Sequence, residues 1–251
     1  IGNYAFYLCN ALSTINLSEK LTVINAYTFT YCYSLESISI PNKVEIISKS
    51  AFMSCKSLST ILFPENLKII GEYCFNSCIN LTSIVIPNTV TSIGSSAFSH
   101  CLSMNSIELP INLSTIGASA FYSCTSLRSI EIPPKITSIM GSTFYQCFNL
   151  TSILLPETIT VIQYRAFYEC ISLASFEIPP NMTTIGSSAF EGCASLYSVI
   201  FRGIKSPTYS GSIFLRTQIT AVFVTPNYLS DDFCSYGIII LPEETVISPI
   251  M

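Results

Sequence analysis

Phenylalanine recurs at a fixed step of 23 residues, at Phe6, Phe29, Phe52, Phe75, Phe98, Phe121, Phe144, Phe167 and Phe190. Cysteine keeps the same step three positions later, at Cys9, Cys32, Cys55, Cys78, Cys101, Cys124, Cys147, Cys170 and Cys193. A constant short period specifies one supersecondary unit stacked along an axis, a solenoid. This also bears on function. Positions common to every rung are scaffold, so specificity must reside in the positions that vary.

The aligned rungs share Leu-x-x-Ile-x-Ile-Pro-x-x-Val-x-x-Ile-Gly-x-x-Ala-Phe-x-x-Cys. One rung shows it fully: Leu81, Ile84, Ile86, Pro87, Val90, Ile93, Gly94, Ala97, Phe98 and Cys101. The period-2 apolar pattern of Leu-x-x-Ile-x-Ile predicts a strand with one face inward. Each strand returns after an identical circuit, so neighbouring strands run parallel, with right-handed crossovers. Pro41, Pro64, Pro87, Pro110, Pro133, Pro156 and Pro179 close the strands, because proline lacks the N–H that a ladder interior needs. Val-x-x-Ile-Gly reads as a second short extended piece. The Ser-rich stretch before Ala-Phe reads as a short turn or helical turn on the convex side.

These motifs resemble the BspA-like leucine-rich repeats, also called the Treponema pallidum type, and the resemblance covers about Tyr4 to Pro226. Ile-Gly-x-x-Ala-Phe-x-x-Cys followed by Leu-x-x-Ile-x-Ile-Pro carries it. The resemblance implies a leucine-rich-repeat horseshoe with its parallel sheet on the concave side. It implies bacterial and protist surface proteins, some of them adhesins for host matrix or surface proteins. It implies no catalysis.

The unbroken period predicts one elongated solenoid of about ten rungs over 1–226, the first incomplete, and an irregular C-terminal cap over 227–251. In the last regular rung the phenylalanine is displaced to Phe214 and Arg216 stands at the cysteine position. Ile238 to Leu241 reads as a shortened closing strand. Hydrophobic residues make up 49% of the chain and charged residues 10%, ample apolar material for a core. No apolar run reaches the length of a membrane span. The chain starts inside a repeat without a secretory signal, which predicts a fragment. A net charge of −4 without a Lys/Arg cluster argues against nucleic acid as a partner.

The eleven cysteines allow a cross-linked reading, because stacked residues lie near bridging distance. The ladder count is odd, however, and its side chains point the same way, so buried free thiols are the expectation. There is no CxxC pair, and His100 is the one histidine, so neither a metal site nor a cofactor is expected. Nucleophilic catalysis would need His beside Ser or Cys with an orienting carboxylate. The Cys101 next to His100 belongs to the repeat, so that neighbour is an accident of register.

Two variable columns stand out. On the concave strands, the column before the second inward Ile contains Leu62, Val85, Glu108, Glu131, Leu154, Glu177 and Ile200. It sets exposed aliphatic groups beside acids and reads as the ligand-binding surface, with the glutamates favouring basic groups in a protein ligand. Filling of exposed sheet positions by β-formers would give similar aliphatic residues. On the convex side, Tyr122, Tyr145 and Tyr168 share one repeat position and form a possible second surface. The expected function is thus a non-enzymatic protein-binding scaffold, at the cell surface or secreted by resemblance, with an intracellular scaffold as the alternative. A hydrolase is the remote alternative. Glu108 and Glu131, on adjacent rungs, are too close to flank a sugar bond in an open groove.

Overall fold

The computed structural model describes residues 1–242. From the second rung onward each Leu-x-x-Ile-x-Ile motif forms a short concave strand: Ser37–Ser39, Thr60–Leu62, Ser83–Val85, Ser106–Glu108, Ser129–Glu131, Ser152–Leu154, Ser175–Ile178, Ser198–Phe201 and Ala221–Val224. Pairing is parallel and one period apart, as in Ser37 with Thr60, Ile130 with Ile153 and Phe176 with Val199. The central isoleucine of the strand faces the core and its two neighbours face solvent, as the period-2 pattern requires. The Val-x-x-Ile segments form a second line of two-residue parallel strands, from Val23–Ile24 to Thr208–Tyr209. Gly237–Ile240 adds a last parallel strand against Ala221–Val224. The end of the expected cap, 243–251, lies outside the described residues.

The concave ladder is not continuous. Ser37–Ser39 pairs with Thr60–Leu62, Ser83–Val85 with Ser106–Glu108, and Ser129–Glu131 with Ser152–Leu154, each as a separate two-stranded sheet. The last four strands form one sheet. Between these groups the strands are neighbours in the stack without a regular ladder.

The core is a set of columns. Consecutive phenylalanine rings from Phe6 to Phe190 lie nearly parallel, with centroids 5.2 Å to 5.8 Å apart. All from Phe29 onward are fully buried, whereas Phe6 is half-buried. Burial of each ring contributes about 1.5–3 kcal/mol, and the offset stacking about 0.5–1.5 kcal/mol more. All eleven cysteines are free thiols, and all but Cys9 are buried. From Cys32 to Cys193 each ladder thiol donates to the phenylalanine carbonyl of the preceding rung, for example Cys55 Sγ to Phe29 O at 3.1 Å and Cys124 Sγ to Phe98 O at 3.2 Å. A packing residue thereby also satisfies a buried backbone acceptor.

The convex side consists of tight turns, and no helix occurs among the described residues. The backbone alternates in hand. Residues two before and two after each phenylalanine are left-handed, as at Tyr27 and Tyr31, Ser96 and His100, and Ser119 and Ser123. This alternation orients three peptide units per rung along the stack axis. Tyr27, Phe29 and Tyr31 donate from their N–H groups to Lys49, Ala51 and Met53 of the next rung at 3.0, 2.8 and 2.9 Å. The acceptor peptides donate onward in turn. One file runs Phe29 to Ala51, Phe52 to Cys74, Phe75 to Ala97, and on to Phe190 and Ile213. A helical turn would have used these N–H groups within its own rung. The intervening residues do bond locally, as Cys32 N–H does to Phe29 O at 3.1 Å.

Candidate functional site

The concave strands hold the mixed column outward because the Ile on either side is fixed inward. Leu62, Val85 and Leu154 are 70%, 70% and 62% exposed. Glu108, Glu131 and Glu177 are also exposed, and Ile200 is half-buried. Cross-strand register sets Val85 beside Glu108, Glu131 beside Leu154, and Glu177 beside Ile200. The column continues through Phe223 to Ile239.

The three glutamates differ in their surroundings. Glu177 forms an ion pair with Arg202. Arg202 sits at a corner where most other rungs carry proline, so this pair exists only at this level of the stack. Glu108 and Glu131 have no ion pair among the described residues. They lie on the strands flanking one of the ladder interruptions. Beside them is a shallow depression of about 290 Å³, walled by Ile107, Leu109, Ile111, Pro133 and Pro134. Ile111 is 58% exposed.

The convex tyrosines form a true stack. Tyr122 to Tyr145 and Tyr145 to Tyr168 both have centroids 4.6 Å apart with rings 4° from parallel. His100 leans on Tyr122 at one end, and Arg165 and Arg216 cover Tyr168 at the other. Arg216 also donates to the Tyr168 hydroxyl at 2.8 Å and bonds Glu191 at 3.1 Å. Burial, then the flanking tyrosines, pushes the Tyr145 hydroxyl above its ordinary pKa. The ring faces are thus occupied by neighbours within the molecule, and only edges and hydroxyls face outward.

The potential catalytic groups are occupied. His100 Nδ1 lies 2.9 Å from the Ser99 hydroxyl. The adjacent Cys101 is buried, its thiol donates to Phe75 O at 3.2 Å, and burial drives its pKa well up, which suppresses the thiolate. Among the described residues no cluster of three or more His, Cys, Asp or Glu could hold a metal ion.

One surface escaped the reading of repeat columns. On the first rungs, Tyr4 stacks on Tyr27 at 4.7 Å, and Tyr7, Tyr31 and Tyr33 follow edge-on or tilted. Lys56 lies 4.9 Å from the Tyr33 ring centroid. Tyr4 and Tyr27 share one repeat position and Tyr33 and Lys56 another, but Tyr7 and Tyr31 come from two further columns, so no single column shows the cluster. The signal available was the local density of tyrosine.

The stacked parallel strands, the inward aliphatic columns and the variable outward column define a leucine-rich-repeat protein. The chain matches the family model of the BspA type leucine rich repeat region in six copies, over residues 1–105 and 91–220. It belongs to that family. Its fold is similar to a leucine-rich repeat protein from Bacteroides ovatus, with a TM-score of 0.79, 26% identity, and coverage of 96% of this chain and 63% of that one. The chain therefore spans under two thirds of that relative's length. It is also similar to a leucine-rich repeat protein of T. pallidum, with a TM-score of 0.60 and 31% identity over 64% of this chain and 75% of that one. No functionally curated protein matches it. Among the described residues no helix is long and apolar enough to cross a membrane.

Proposed function

We propose that this protein is a non-enzymatic scaffold whose concave sheet binds a protein ligand, in the manner of a cell-surface or secreted adhesin. The observation that carries this reading is the exposure of Leu62, Val85 and Leu154 on one face of the concave sheet. Aliphatic side chains held on rigid strands lose little entropy on contact and supply desolvation energy. Family membership supports a repeat scaffold, and the surface location follows the family resemblance. A host matrix or surface protein is the expected class of ligand.

The test is quantitative binding of a partner isolated by cross-linking from host or cell extract. Replacement of Leu62, Val85 and Leu154 by Ser should weaken binding at least about tenfold, with the melting temperature nearly unchanged. Replacement of Tyr122, Tyr145 and Tyr168 by Ser should leave affinity close to the parent's. The reverse pattern would place the binding surface on the convex side.

An intracellular scaffold is the second reading, and the eleven free thiols favour it, since reduced cysteine persists in reducing compartments. Protease shaving of intact source cells separates the two. A surface protein is lost on shaving, and an intracellular one survives.

A further inference from the structure

We propose that the apolar-walled depression beside Glu108 and Glu131 is a socket for a cationic side chain of the partner, arginine above all, carried in an apolar stretch of its chain. This rests on the reading of the concave face as the binding surface and specifies what enters it. Elsewhere the molecule pairs acids with bases about one rung away: Glu45 with Lys68, Glu72 with Lys49, Glu177 with Arg202 and Glu191 with Arg216. At the centre of the concave column two acids meet instead. Like charges on neighbouring strands destabilise the sheet, and a bound cation would remove that repulsion.

The surroundings select for more than charge. Ile111, Pro133 and Pro134 provide an apolar wall for a long aliphatic stem, and Ile107 forms part of the lining. The strands that carry the two carboxylates are neighbours in the stack, and both Glu108 and Glu131 line the depression. A guanidinium presents its donors in a rigid planar fork and can bond both acids at once, which an ammonium does less well. Val85 flanks Glu108, and Leu154 flanks Glu131. The fitting ligand segment therefore carries arginine with apolar residues on both sides.

The test is an NMR titration of methyl-labelled protein with Nα-acetyl-arginine amide, Nα-acetyl-lysine amide and the neutral Nα-acetyl-citrulline amide. We expect saturable shifts at Ile107, Leu109 and Ile111 with the arginine probe, smaller ones with lysine, and none with citrulline. E108Q/E131Q should weaken arginine binding at least about tenfold while keeping an unchanged methyl spectrum elsewhere. Equal shifts with citrulline, unsaturable shifts spread over all surface acids, or unaltered binding by the variant overturn the socket. With an isolated partner the two levels separate. Sensitivity to the Leu62, Val85 and Leu154 replacements with indifference to E108Q/E131Q overturns the socket alone. Indifference to both overturns the concave reading beneath it.

Discussion

A thiol buried against a carbonyl is stable only while it keeps its proton. Burial pushes Cys124 up to about 12 and raises the other core ladder thiols from Cys55 to Cys170 in the same direction. The folded pKa lies above the unfolded value, so the native state holds the proton when the unfolded chain has lost it. This contribution is complete below the unfolded thiol pKa and is lost as pH rises toward the folded one. Each such thiol adds a slope of about 1.4 kcal/mol per pH unit within that window. We expect melting temperature to be flat from about pH 6 to about pH 8 and to fall steeply above about pH 9. Thermal melts across that range check this, and Cys124→Ala should fall less steeply than the parent. An alkaline limb identical in parent and variant would remove the thiols as its cause. Burial of this column was legible because a small hydrophobe kept beside Phe on nine successive rungs is scaffold packing. The half-open position of Phe6 and the exposure of Cys9 were not, since a column reads the same at every rung. Nor was the Arg202–Glu177 pair, whose members stand 25 residues apart, off the period.

At the scale of the element, strand and convex turn obey different rules. The strands follow side-chain alternation, so their position and inward face could be read directly. The convex turns depend on left-handed backbone at positions occupied mostly by Ser, Tyr, Gln and Glu, with Gly192 as an exception. These residues give no local warning of that conformation. The stack enforces it through the inter-rung hydrogen bonds. Two neighbouring positions should therefore resist substitution for different reasons, one for want of space and one for its backbone. At Gly117 an added Cβ would lie 2.3 Å from Ser95 N and 2.7 Å from Gly94 C, so Gly117→Ala must push neighbouring rungs away from each other. A loss of at least about 1–3 kcal/mol is expected. At Ser119, held at φ 57°, Ser119→Val should cost more than about 1 kcal/mol while Ser119→Asn should be nearly neutral. Chemical denaturation checks both, and equal tolerance of Val and Asn at 119 would show that this turn can relax.

The whole molecule is a one-dimensional stack, and each rung is stabilised mainly by the one before and the one after. Phe98 sits mid-stack between Phe75 and Phe121, at 5.4 Å and 5.8 Å. Phe98→Ala should cost about 3–5 kcal/mol. The loss should also be local. Hydrogen exchange is expected to accelerate most in the rungs around residue 98 and least near both ends. A uniform loss of protection would mean that the solenoid unfolds as one block. The architecture was legible at this scale because a period needs no knowledge of packing. The candidate site was only partly so. Its column and its aliphatic members were evident, but the depression depends on a proline corner meeting an interrupted ladder, which no single column encodes.

The three files of convex hydrogen bonds all run the same way, with every N–H aimed at the following rung. Peptides in the parallel strands alternate in direction and largely cancel. The files add head to tail, as peptide dipoles do in a helix. The convex side is therefore electrically directional along its length, whereas on the flank N–H groups such as those of Lys68, Gly71 and Gly94 point back to the preceding rung. On that side the exposed N–H pole of each rung faces the C-terminal direction and the carbonyl pole the N-terminal direction.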